Sequence, residues 1–319
     1  MNLVTELCEI CEPNGGEFIW KFGGKTSEQD ESVVMIFGLH GDELGPVEAL
    51  KILLPEIMAI QDLLRGEVTL ILGSPLALEK GSRGVEVDPN RIFGKVGDTM
   101  DHIRVAQIQN AISQANPDVL VDYHCTRNKS VPFVFVPKGE GNHDDALTKS
   151  ITAAHSLRSV VLADWHTYTD SANEVDHWAV EMSAGKIRAI TVETGWLKDR
   201  SLAANGPIGI TMNGVKRALS VLGIYDFDGF DENEFDIDDM YKWDVFGGIY
   251  AGEGFEWSGV VRNFGVIEIG QVHGHKNGVP LIAEETFATM FVKNNGDFDS
   301  DNSAQRVALM MRRVASTAT

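Results

Sequence analysis

Apolar and polar positions along the first 225 residues alternate between two patterns. Short, unbroken apolar runs separate longer stretches in which apolar residues recur every three or four positions. Residues 32–38 (SVVMIFG) are the first such run and predict a strand buried on both faces. Residues 43–64 follow with helical spacing, and Pro46 falls where a first turn tolerates it. The reading continues as strand 68–72, helix 103–115, and strand 118–123 (DVLVDY) after the Asn116-Pro117 breaker. Strand 133–136, helix 144–156, strand 159–162, strand 187–192 (IRAITV) and helix 207–222 complete it, with Gly206-Pro207 opening the last helix. This alternation predicts an α/β fold: a mixed, mostly parallel sheet flanked by helices on both faces.

After Tyr225 the pattern changes. Residues 226–239 hold eight acids and no base, which predicts a solvated connector. From 241 to 293 the chain is Gly-rich with short β-type runs at 248–250, 259–262, 266–269, 281–283 and 288–292. Residues 304–314 look helical. The expected organisation is a catalytic domain over 1–225. The acidic connector, a small β domain and a terminal helix occupy 226–319.

Composition narrows the function classes. The 319 residues are 43% hydrophobic and 23% charged, as in a globular protein. Lys and Arg number 27 against 47 Asp and Glu, a net charge of −20. That balance argues against nucleic acid and against an anionic membrane as partners. No run approaches 18 apolar residues, and the start lacks a signal-peptide pattern. Cys8, Cys11 and Cys125 make no disulfide framework, so a reducing cytoplasm is the expected compartment. Cys8 and Cys11 form one C-x-x-C without a second pair to complete a structural metal site. Neither the acidic connector nor residues 297–308 has calcium-loop spacing.

The chemistry stands at the strand ends, where open α/β sheets bind ligands. Leu39-His40-Gly41-Asp42-Glu43 follows the first run, His124 follows DVLVDY, and Glu193 follows IRAITV. His40, Glu43 and His124 form a His-Glu-His set with an open fourth position, the donor set of catalytic zinc. A further carboxylate must accept and return a proton, and Glu193 is the candidate. Asp122, two residues before His124 on the same strand face, can orient its imidazole. In the polar loop 82–93, Asn90 and Arg91 suit a carboxylate and Arg83 suits an oxyanion. Alone, each of these residues also has a bland role as a surface charge or a satisfied polar group.

The blocks G-L-H-G-D-E, D-P-N-R-I-F, V-D-Y-H and V-E-T-G, in this order, resemble the succinylglutamate desuccinylase and aspartoacylase family, a branch of the zinc carboxypeptidase superfamily. The resemblance spans about residues 33–222, and a small C-terminal β domain is typical of such proteins. It implies one Zn2+ per chain on His40, Glu43 and His124, with Glu193 as general base and acid. It also implies Arg83 on the scissile carbonyl, and Asn90 and Arg91 on the amino-acid carboxylate. The implied reaction is hydrolysis of a small anionic N-acyl amino acid. After His124 the run Cys125-Thr126-Arg127-Asn128-Lys129-Ser130 copies neither characterised enzyme closely. There Arg127 or Lys129 either binds a second carboxylate or is a solvated loop charge.

Three other readings compete. A metallocarboxypeptidase would use the same set on a short peptide. A cysteine hydrolase would need Cys125, which strand alternation points away from His124. A non-catalytic binding protein would have no need of Glu193. His273-Gly274-His275 reads as a loop in the β domain. The acyl group, the amino acid and the oligomeric state stay open, a homo-oligomer being compatible with the sequence.

Overall fold

Apolar runs too short for helices and too continuous for a half-exposed sheet become inner strands. The computed structural model describes residues 2–138, 141–155, 157, 159–163, 173–227, 241–251, 254–293, 295 and 306–314. In it β1 (Ile19–Gly23), β2 (Ser32–Phe37), β3 (Glu67–Leu72), β4 (Val119–Thr126), β5 (Phe133–Pro137), β6 (Ser159–Ala163) and β7 (Arg188–Trp196) lie in the order β1-β3-β2-β4-β7-β5-β6. Strands β3, β2, β4 and β7 pair in parallel, while β1 and β5 run antiparallel to β3 and β7. Every residue of β2 and β4 is buried.

Strand alternation sorts side chains onto two faces. Val33, Met35 and Phe37 of β2, with Val121 and Tyr123 of β4, pack with α2 (Leu44–Ala59) and the helix Pro207–Val221, here α7. Val34, Ile36 and Leu120 point the other way, onto α4 (Met100–Ala115) and the helix Val175–Met182, here α6. The short α1 (Leu3–Ile10), α3 (Pro75–Lys80) and α5 (Ala146–Ala154) complete the helices among the described residues. No helix among those residues is long and apolar enough to cross a membrane.

The C-terminal β region continues the same sheet. Strand β8 (Tyr241–Tyr250) pairs in parallel with β6, from Ser159↔Tyr241 to Leu162↔Asp244. Antiparallel pairing then adds β14 (Arg306–Arg313), β13 (Phe287–Met290) and β10 (Val266–Ile267), for an 11-stranded sheet. A separate three-stranded sheet is made of β12 (Val279–Ile282), β11 (Val272–Lys276) and β9 (Phe255–Trp257).

Three expectations need correction. Residues 304–314 are not a terminal helix, since Arg306–Arg313 is a strand held between β8 and β13. Leu309 and Met311 pack with Phe133 and Phe135, so burial on a sheet overrides the helical propensity of an Ala, Leu, Met and Arg segment. Residues 259–262 form no strand. His273 and His275 lie within β11, paired with β12 and β9, and not in a loop. Most of the acidic connector (228–240) and the segment 297–301 lie outside the described residues.

Candidate active site

The β2–α2 connection brings the first two groups together. Gly38 (φ +63°) turns the chain at the end of β2, where a Cβ would meet Val47 Cγ2 at 2.5 Å. At Gly41 a Cβ would sit 2.1 Å from the backbone carbon of Ala77, so only glycine lets the turn pass this close to α3. Glu43 occupies the N-cap position of α2 but makes no cap hydrogen bond, and its carboxylate turns instead toward two imidazoles. His40 Nδ1 lies 2.8 Å from Glu43 Oε1 and His124 Nδ1 2.9 Å from Glu43 Oε2. The Cys125 backbone N–H donates to the same Oε2 at 2.8 Å.

The outer nitrogen of each imidazole faces another carboxylate. His40 Nε2 is 3.1 Å from Asp88 Oδ1, and His124 Nε2 is 2.6 Å from Asp122 Oδ2. Two buried imidazoles with their outer nitrogens fixed and their inner ones converging on a buried carboxylate form a donor set that fits a divalent cation. One donor atom from each of His40, Glu43 and His124 lies within 4.8 Å of the others. Burial alone would raise the Glu43 pKa, but the neighbouring His40 and His124 hold it well below the usual carboxylate range.

Glu193 stands directly across from His124 in the β4–β7 register. Ala189 of β7 packs on the α4/α6 side, and alternation carries Thr191 and Glu193 to that same face. On β4 the sequence Leu120, Asp122, His124 does likewise. Glu193 is buried, and among the described residues its Oε2 has no hydrogen-bond partner. Burial pushes its carboxyl up to about 8, with Glu43 adding repulsion and His124 opposing. A buried carboxylate with a spare oxygen is suited to take up and release a proton.

The loop predicted to bind substrate is tied down by Asp101, whose carboxylate accepts the backbone N–H groups of Val85, Glu86 and Val87 at 3.0, 2.7 and 2.9 Å. Arg83 Nε donates to Asp88 Oδ2 at 2.8 Å, so Asp88 joins Arg83 to His40. Asn90 is buried, its Oδ1 accepting from the Val175 N–H at 3.0 Å. Arg91 Nη1 sits 2.7 Å from Glu174 Oε1. Arg83, Asp88, Asn90, Arg91 and Glu174, with His40, Glu43, His124 and Glu193, line one pocket of about 780 Å³. Arg127 also lines it, although its side chain is 65% exposed and lies 3.6 Å from Asp42 Oδ2. Lys129 is exposed and is not part of the lining.

Cys125 faces the opposite side of β4 from His124, its Sγ 3.3 Å from Thr194 Oγ1. Burial pushes its thiol well up, which disfavours the thiolate a cysteine hydrolase needs. Sequence reasoning passed over Glu174, Asp176, Lys293 and Arg306, which line the same pocket. The first two sit at the start of a helix whose pattern was too short to read, and the last two in the C-terminal β region, Lys293 after β13 and Arg306 in β14, with no sequence link to the strand ends.

Residues 29–195 match the family described as succinylglutamate desuccinylase/aspartoacylase catalytic domain. A succinylglutamate desuccinylase of Yersinia pseudotuberculosis is 41% identical over 64 residues, which are 20% of this chain and 19% of that protein. The chain thus matches about a fifth of the length of this curated relative. The fold is similar to that of a succinylglutamate desuccinylase from Vibrio parahaemolyticus (TM-score 0.72, 19% identity, 93% of this chain and 86% of that one). It is equally similar to one from Vibrio cholerae (TM-score 0.72, 21% identity, 93% and 85%).

Proposed function

Since the chain belongs to the succinylglutamate desuccinylase/aspartoacylase family, we propose that it is a zinc-dependent deacylase hydrolysing the amide bond of a small anionic N-acyl amino acid. His40, Glu43 and His124 would hold the ion. When bound, zinc polarises the amide carbonyl and acidifies a water. Glu193 takes a proton from the attacking water as its oxygen adds to the carbonyl carbon. It returns that proton to the nitrogen as the C–N bond breaks, leaving a carboxylic acid and a free amino acid. The Arg83 guanidinium offsets the charge that develops on the carbonyl oxygen. Asn90 and Arg91 orient the amino-acid carboxylate, a task that suits the planar fork of arginine.

The observation that carries this reading is the placement of Glu193, buried on the sheet face that presents His124, with one oxygen that has no hydrogen-bond partner among the described residues. The test is turnover of a panel of N-acetyl, N-formyl and N-succinyl amino acids, with dipeptides alongside. It is run on protein as purified, after chelation, and after zinc is restored. Hydrolysis of an N-acyl amino acid that chelation abolishes and zinc restores is expected. Turnover of dipeptides alone would move the assignment to a metallocarboxypeptidase, and zinc-loaded protein inert toward the whole panel would end the deacylase reading.

A further inference from the structure

The β4–β7 ladder is irregular where it reaches the site. His124 stands opposite Glu193, but the next pair is Thr126 and Trp196, so Thr194 and Gly195 together oppose Cys125. One extra residue at such a point is a β-bulge, a device found beside active sites and rare between parallel strands. Gly195 takes φ +124°, a conformation that residues with a side chain rarely adopt. Two hydroxyls close the bulge, one on each face of the sheet. On the pocket face Thr126 Oγ1 donates to the Gly195 carbonyl at 3.1 Å. On the other face the fully buried Thr194 donates from Oγ1 to the His124 carbonyl at 2.8 Å. That bond uses the only hydroxyl hydrogen of Thr194, so the Cys125 thiol, 3.3 Å away, is the donor of that pair.

The His124 carbonyl belongs to the same peptide unit as the Cys125 N–H, and that N–H donates to Glu43 Oε2 at 2.8 Å. Thr194, the peptide and Glu43 therefore stand in one hydrogen-bonded row, in which each bond polarises the next. The same Oε2 lies 2.9 Å from His124 Nδ1. One peptide plane thus governs both the exit of the His124 side chain from β4 and the seat of the Glu43 carboxylate.

We propose that Thr194 is a positioning residue of this site. Through the peptide between His124 and Cys125 it holds the Glu43 carboxylate where an ion needs it, and through the bulge it keeps Glu193 level with His124. Thr194 is not part of the pocket lining, so it acts only through these neighbours. A buried threonine that merely satisfies a carbonyl is the alternative. Thr152 in α5 is an example: its Oγ1 donates to the Thr148 carbonyl at 2.7 Å, and it too is buried and outside the lining.

The two roles separate on zinc affinity, read by competition with a chromogenic chelator. Thr194→Val replaces the hydroxyl by a methyl of similar size and should weaken zinc binding about tenfold. Thr194→Ser keeps the donor and should return the affinity to within about twofold of the parent. For an N-acyl amino acid that the parent hydrolyses, Thr194→Val should lower kcat about tenfold and leave KM within about twofold, because it displaces reacting groups without touching the substrate. Thr152→Val should lower the thermal midpoint, as Thr194→Val does, and leave zinc affinity and kcat at parental values. A Thr194→Val variant that loses only thermal stability, or a Thr194→Ser variant that fails to restore zinc affinity, overturns the proposal. The kinetic measurement rests on the deacylase reading and the zinc measurement does not. If the parent binds zinc and hydrolyses nothing, that reading falls, and the zinc affinities alone decide the role of Thr194.

Discussion

Arg91 Nη1 lies 2.7 Å from Glu174 Oε1, so the arginine assigned to the substrate carboxylate already has a carboxylate of its own. Burial, with repulsion from Asp176, pushes the Glu174 carboxyl up to about 7, while Arg91, Arg306 and His124 oppose the rise. Above that pH Glu174 is ionised and neutralises Arg91, and below it the charge of Arg91 is left to the substrate. KM should therefore fall roughly three- to tenfold between pH 8 and pH 6. Glu174→Gln keeps an oxygen for Arg91 but cannot ionise, so it should fix KM near its low-pH value throughout. A slope that persists in this variant would show that another group titrates.

Glu193→Gln should lower kcat about a thousandfold, since an amide cannot accept the proton from water. The variant should bind zinc like the parent. Its thermal midpoint should be equal or higher, because a buried carboxylate oxygen with no hydrogen-bond partner among the described residues is unfavourable. Turnover at the parental rate would remove Glu193 from the chemistry.

Asp122 Oδ2, 2.6 Å from His124 Nε2, fixes the imidazole whose other nitrogen faces Glu43. Asp122→Asn should weaken zinc binding roughly 10- to 100-fold, read by competition with a chromogenic chelator. Unchanged affinity would mean that packing alone orients the ring.

Outside the pocket lining, the Arg104 guanidinium donates to the carbonyls of Gly73, Leu72 and Glu17 at 2.8, 2.6 and 2.8 Å. Burial lowers its pKa to about 10, which leaves it charged at neutral pH. Arg104→Met should cost about 2–4 kcal/mol in urea unfolding, because buried carbonyls lose their donors. The folded fraction should keep its kcat/KM.

The inner strands were legible because β2, β4 and β7 open as apolar runs, with His40 just after β2 and His124 and Glu193 near the ends of β4 and β7. Parallel pairing puts those ends on one edge, so the grouping of these residues with Glu43 could be read before any coordinates. Asp122 was legible too, from a two-residue spacing on one strand. Residues joined to the site only by long-range packing were not. Glu174 reaches Arg91 from the start of α6, and Lys293 arrives on a turn whose position depends on Asn128 and Asn263. Residues 306–313 were misread because their composition favours a helix, and only the gap between β8 and β13 makes them a strand.

The β6–β8 pairing has a further consequence. A chain cut after Tyr225 would leave β6 as a bare edge beside uncovered Phe133 and Phe135, a template for strand addition by other chains. Aggregation, more than loss of activity, should be the first sign of such a truncation. A region knitted into the sheet in this way is also a poor candidate for exchange between relatives as a cassette. Substrate range would then drift residue by residue along the pocket wall, with the ancestral scaffold inherited whole.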